Sequence, residues 1–146
     1  MIQRIQTIFL LLATAAFGGL FSLPFATSQP VSEAGRIFSD GSYNIFDNLV
    51  LVVLVVLGAL FGIIAIFMYG NRKTQMKLGY LAAVVSILLM VVSYLFFTNQ
   101  APAMSEAPVN DAAGMYLPAA ALVCVLLANY FIRKDEQKVR SMDRLR

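Results

Sequence analysis

The chain has 146 residues, 60% of them hydrophobic and only 13% charged, against ~25% charged in a soluble domain, which excludes an ordinary water-soluble globule and leaves room for one domain held largely in lipid. It holds no histidine and one cysteine, Cys124, which excludes His-ligated haem, His-based zinc proteolysis and paired-thiol redox chemistry. The net charge of +3 says less than the placement of the charges along the chain.

A short head carrying Arg4 precedes an apolar run of nineteen residues, 5–23. A secretory signal peptide has this order of basic head and apolar body, and Ala26-Thr27-Ser28 would supply its small-residue cleavage site. The length of the run, with three more apolar stretches behind it, favours a retained first transmembrane helix over about 5–25, ended by Pro24. Thr14 and Gly18, like Ala15 and Gly19, stand four residues apart, a pattern that admits a close neighbouring helix. Residues 26–48 form a polar loop. Its Asp40-Gly41 pair, flanked by residues 36–39 and 42–45, predicts a two-residue hairpin turn, with an irregular loop as the alternative. Asn44 or Asp47 is the expected cap of the next helix.

Residues 49–68, LVLVVLVVLGALFGIIAIFM, carry no charge. Twenty residues at a rise of ~1.5 Å reach ~30 Å, the thickness of a bilayer's hydrocarbon core. Val and Ile would suit a buried strand in water, but strands rarely run this long, and lipid offers no partner to an open strand edge. The second span is therefore a helix over about 49–69. Its Gly58 and Gly62 form a G-x-x-x-G face, which predicts a helix–helix contact without naming the neighbour.

Residues 70–77, GNRKTQMK, read as a short turn bearing Arg72, Lys73 and Lys77. The third span follows over 78–97, with Gly79, Ala82, Ala83, Ser86 and Ser93 close to one face. Ser86 and Ser93 are expected to bond back to their own helix rather than across to a neighbour. Residues 98–115 form a second long loop whose only charges are Glu106 and Asp111. The fourth span, 116–132, tolerates Pro118 in its first turn and places Ala120, Cys124 and Ala128 four apart, with Cys124 as a small core residue. The tail, 133–146, holds good helix formers and a Glu136–Arg140 pair, so the fourth helix is expected to run on past the membrane. There it would lie on anionic lipid headgroups or bind a cytoplasmic partner.

Four spans place both termini on one side. Arg4, Arg72, Lys73, Lys77, Arg133, Lys134, Lys138, Arg140, Arg144 and Arg146 fall on that side, and Arg36 alone falls opposite, among Glu33, Asp40, Asp47, Glu106 and Asp111. The positive-inside rule then makes the termini cytoplasmic. The expectation is an all-α membrane protein: four transmembrane helices in an up-down antiparallel bundle over 1–132, a small β-hairpin in the first outer loop, and a basic helical tail over 133–146.

MIQRIQT at residues 1–7 and FIRKDEQKVRSMDRLR at residues 131–146 resemble the ends of the bacterial membrane proteins grouped as domain of unknown function 4293. The resemblance is close at both ends and extends to the spans by hydropathy. It implies a four-span protein of similar length in the inner membrane of Gram-negative bacteria, and it brings no established activity.

No catalytic, cofactor or metal constellation stands out. The leading expectation is a structural or accessory subunit, not an enzyme and not a nucleic-acid binder, that packs against a larger membrane partner or against copies of itself. Gly18, Gly58, Gly62, Gly79, Ser86 and Cys124 would carry the helix packing. The alternative is a small transporter or channel acting as an oligomer. Carriers usually keep a charge at membrane depth, and no span here holds one. Asp47, Asn48 and Asn129 are the polar residues to test for it, and capping or interfacial solvation is the simpler expectation for all three.

Overall fold

The structure, a computed structural model, describes residues 2–28, 40–100 and 109–143. Four helices dominate it: α1 (Ile2–Gly19), α2 (Leu49–Phe67), α3 (Arg72–Gln100) and α4 (Leu117–Asp143). α1 packs on α2 and α4, and α3 packs on the same two, so the helices close a four-membered ring. Ring neighbours run antiparallel. Phe9 of α1 stacks on Phe131, late in α4, with centroids 5.6 Å apart, and Arg72 at the start of α3 meets Asp135 near the end of α4.

The buried positions repeat with alternating steps of three and four. They are Gln6, Leu10, Ala13 and Phe17 on α1 with Leu20 in the turn that follows it, and Leu51, Val55, Gly58, Gly62 and Ala65 on α2. On α3 they include Gln75, Gly79, Ala82, Ser86 and Leu89, and on α4 Pro118, Ala121, Val125, Ala128 and Ile132. This spacing is the seam of an antiparallel helical bundle. The outward positions are equally apolar: Leu49 is 77% exposed and Leu11 57%. A helix that is apolar all round belongs in apolar surroundings. Leu49–Phe67, Arg72–Asn99 and Ala113–Val139 are long and apolar enough to cross a membrane, whereas the apolar Ile5–Gly19 is shorter.

Several helix ends differ from those read from hydropathy. α1 stops at Gly19 instead of reaching Phe25. The amides of Leu20, Phe21 and Ser22 donate three residues back, to Phe17, Gly18 and Gly19, which tightens the last turn. Two adjacent glycines favour the helix poorly, and Pro24 has no N–H and crowds the carbonyl four residues before it. α3 starts at Arg72 rather than Leu78, because the Asn71 side chain accepts from the Thr74 amide at 3.2 Å and caps it. The expected basic turn is therefore largely the first turns of a helix; a helix need not begin where its apolar part does. Asn48, not Asn44 or Asp47, caps α2, accepting from the Val50 amide at 2.9 Å. Asn44 and Asp47 instead close a short 3-10 turn, Ile45–Asp47, in which the Asn44 amide donates to the Asp47 carboxylate at 2.6 Å. α4 runs unbroken to Asp143.

The β element also differs. β1 (Ala26–Ser28) is the central strand of a three-stranded antiparallel sheet, between β2 (Ser42–Tyr43) and β3 (Val109–Asp111). Ala26 faces Tyr43 on one side and Asp111 on the other. The expected hairpin partner, residues 36–39, lies outside the described residues. The Asp40-Gly41 turn is present, with Gly41 at φ 76°, a left-handed value that favours glycine. The strand after it pairs with β1, and the second long loop supplies the third strand. Strands of two or three residues are too short to show a period. The two loops also meet where the Gly114 amide donates to the Pro24 carbonyl at 2.9 Å; any Cβ at Gly114 would strike the carbonyl oxygens of Leu23 and Pro24.

The G-x-x-x-G face of α2 receives α1 of the same chain. A Cβ on Gly58 would fall 2.5 Å from the Phe17 ring, and one on Gly62 would overlap the Thr14 hydroxyl. Gly18, expected on a packing face, points outward with nothing within 4 Å of its would-be Cβ. Gly58→Leu or Gly62→Leu is expected to destabilise the detergent-solubilised protein by about 1–3 kcal/mol, from overpacking. Gly18→Leu should leave the thermal midpoint unchanged. Melting followed by circular dichroism distinguishes them, and equal midpoints for all three would refute the contact.

Candidate functional site

Charged and polar candidate side chains gather towards the two ends of the bundle. At the end that holds the α2–α3 turn, Lys73 and Lys77 on the first turns of α3 and Arg133, Lys134 and Lys138 on α4 are exposed. Arg140 lies further along α4, and Arg144 and Arg146 lie outside the described residues. The fold brings the two basic segments together. The Arg72 guanidinium lies 3.0 Å from the Asp135 carboxylate, with the two side chains 24% and 14% exposed. Beside this pair, Tyr69, Gly70, Asn71, Arg72, Lys73, Glu136 and Val139 line an open groove of about 500 Å³.

A polar layer lies inside this end, at and just beyond the Leu10–Ala65–Ala128 core layer. Gln6, Gln75 and Asn129 are 3%, 2% and 4% exposed. The Asn129 amide is pressed against Gly79, where a Cβ would overlap it. Among the described residues, neither polar atom of the Asn129 amide nor Gln6 Nε2 finds a hydrogen-bond partner. Asn129 is thus neither a cap nor an interfacial group, because α4 continues well past it and keeps it inside the bundle. Gln6 and Gln75 went unnoticed in the sequence, though each falls on the buried stripe that marks its helix's inner face. Ser86 Oγ donates to Ala82 O on its own helix at 3.0 Å, and Ser93 Oγ to Met90 O at 3.1 Å. Cys124 is half-buried beside the cluster of Ala13, Ala82, Ala83 and Val125.

At the opposite end the sheet leans on the last third of α3. Phe25, Ala26, Tyr43, Met90, Ser93, Tyr94, Phe97, Asp111 and Met115 enclose a cavity of about 260 Å³. Its walls come from five separate segments, so no local pattern could have revealed it. Tyr43 is the pivot. Its phenol donates to the Ser93 carbonyl at 3.1 Å, and its ring lies 5.3 Å from Phe25 and 6.5 Å from Phe97. Burial, and then the Asp47 carboxylate, push the Tyr43 phenol above its usual 10.0. Burial also raises Asp47 from 3.8, opposed by the Asn44 amide and reinforced by Asp40. The described charges at this end are Asp40, Asp47 and Asp111. Among the described residues, no three His, Cys, Asp or Glu side chains gather as a metal site would require.

Two outcomes follow from these contacts. Tyr43→Phe should cost about 0.5–1.5 kcal/mol, the net worth of one hydrogen bond. Because the folded-state pKa of Tyr43 is raised, its contribution holds below pH 10.0, the unfolded value, and is lost as pH rises beyond it. Tyr43→Phe should therefore flatten the alkaline fall in stability, measured by denaturation across that range. Asp135→Ala should cost about 1–3 kcal/mol by leaving Arg72 partly buried and unpaired, and Arg72→Met in the same chain should restore much of it. Single losses that sum to the loss in the double variant would show the pair to be uncoupled.

No curated protein and no solved structure matches this chain. The family model described as Domain of unknown function (DUF4293) matches residues 2–145. That span takes in all four helices, the three strands and both ends of the bundle, and so the chain belongs to the DUF4293 family.

Proposed function

We propose that the protein crosses the bacterial inner membrane four times, with both termini in the cytoplasm, and acts as an accessory subunit that docks on a larger membrane partner or on copies of itself, without catalysing a reaction. The observation that carries this reading is the segregation of charge. Every Lys and Arg with a described side chain stands at the α2–α3 turn end, and the described charges at the sheet end are all carboxylates. The positive-inside rule puts the basic end in the cytoplasm. The apolar part of α1, Ile5–Gly19, reaches ~22 Å of the ~30 Å core, and the apolar turn behind it adds to that length. Gly58, Gly62 and Gly79 face inward onto the same chain, which leaves the outward apolar faces and the basic groove for partners. Lys73, Lys77, Arg133, Lys134 and Lys138 suit the anionic headgroups of the inner leaflet.

The Gln6–Gln75–Asn129 layer favours a second reading, a small transporter or channel acting as an oligomer. Buried amides without partners are costly in an apolar bundle, and a polar path for solute would account for them.

Gentle purification from the native membrane tests both. The subunit reading expects a larger partner at fixed stoichiometry, released when residues 134–146 are deleted while membrane insertion persists. A homo-oligomer that makes liposomes permeable to small polar solutes, and loses that property in Asn129→Leu, would replace it with the transport reading. A reporter active only outside the cytoplasm, fused to the carboxyl end, should stay silent; a strong signal would overturn the topology.

A further inference from the structure

We propose that the cavity at the sheet end holds a segment of one acyl chain from a phospholipid whose primary-amine headgroup lies at Asp111. The proposal rests on the membrane placement above but not on the subunit role. At about 260 Å³ the cavity falls just below the ~300 Å³ at which small-ligand pockets begin, so it suits a length of one chain and not a whole lipid.

Apart from Asp111, its walls are chemically quiet. The Tyr43 phenol is engaged with the Ser93 carbonyl, and the Ser93 hydroxyl with the Met90 carbonyl. Water would find few of the two to four partners it needs there, and an apolar occupant loses nothing by their absence. Met90 and Met115 flank the space, and unbranched thioether side chains reshape readily around an irregular guest.

The cavity borders an exposed apolar surface. Tyr94 is 64% exposed and Met115 49%, and Val91 and Leu95 carry the same apolar surface along α3. In a membrane this surface meets acyl chains, so the entrant is the molecule already packed against it. Asp111 lines the same cavity and is itself exposed. With Asp40 and Asp47 as the other described charges at this end, the local field repels an anionic headgroup and attracts an ammonium.

The test uses the full chain in nanodiscs of phosphatidylethanolamine, phosphatidylglycerol or phosphatidylcholine, released into detergent and weighed by native mass spectrometry. The wild type should retain one phosphatidylethanolamine. Ser93→Phe, which fills the cavity, should lower that retention about tenfold, the effect of ~1.4 kcal/mol in binding. Ser93→Ala, which loses the same hydroxyl and leaves the space open, should retain it. Asp111→Asn should keep a lipid but lose the preference for the amine headgroup over phosphatidylcholine. If Ser93→Phe does not fold, Met115→Trp at the rim is the second filling variant. Equal retention in the filled and open variants would overturn the proposal, as would equal retention of phosphatidylglycerol or no retained lipid at all. A failure of the membrane placement would look different: the chain would leave the membrane without detergent.

Discussion

The close approach of α1 to α2, with Phe17 against Gly58 and Thr14 against Gly62, is the contact on which the bundle depends. The α2–α3 pair needs no such device, because the short turn between Phe67 and Arg72 makes those two helices neighbours by connectivity. α1 and α2 are joined by a long loop and must find each other by shape. In lipid, burying one apolar face against another gains little over leaving both in acyl chains, so dispersion and close fit have to supply the preference. Two glycines one turn apart provide the recess, and an aromatic ring and a hydroxyl fill it. The Thr14 hydroxyl is satisfied by the Leu10 carbonyl at 2.9 Å, so it enters the contact at no polar cost.

The three-stranded sheet solves a different problem at one end of the bundle. Both long loops must end somewhere, and their backbone amides and carbonyls need partners where apolar surroundings supply none. β1 pairs with a strand from each loop, and the Phe25, Ala112 and Gly114 amides close onto neighbouring carbonyls. Tyr43 then ties this assembly to α3 through the Ser93 carbonyl. A strap of this kind leaves a gap where flat strand meets round helix, and the cavity occupies that gap.

The opposite end is built from charge and amide groups. Arg72 and Asp135 link the first turn of α3 to the part of α4 beyond its apolar stretch. Just inside them the core changes from leucine and alanine to Gln6, Gln75 and Asn129. The molecule is therefore polarised along its axis: a carboxylate-rimmed apolar cavity at one end, and a basic rim over buried amides at the other.

The order of residues alone showed that the chain carries four apolar stretches, three of them in helices long enough to cross a membrane, and the placement of its charges separated one end from the other. Hydropathy reports the preference of each stretch for an apolar environment, and a sum over some twenty residues is robust to its neighbours. Small residues at four-residue spacing pointed to inward faces at Gly58, Gly62 and Gly79, because a missing side chain marks a close approach whatever fills it. The same spacing misled at Gly18, where nothing approaches. Tertiary structure alone decided the rest: which helix fills which recess, where helices begin outside their apolar parts, how residues from both loops form one sheet, and that Asn129 is enclosed rather than interfacial. Each of these depends on groups far apart in the chain, and a one-dimensional pattern carries no term for the distance between them.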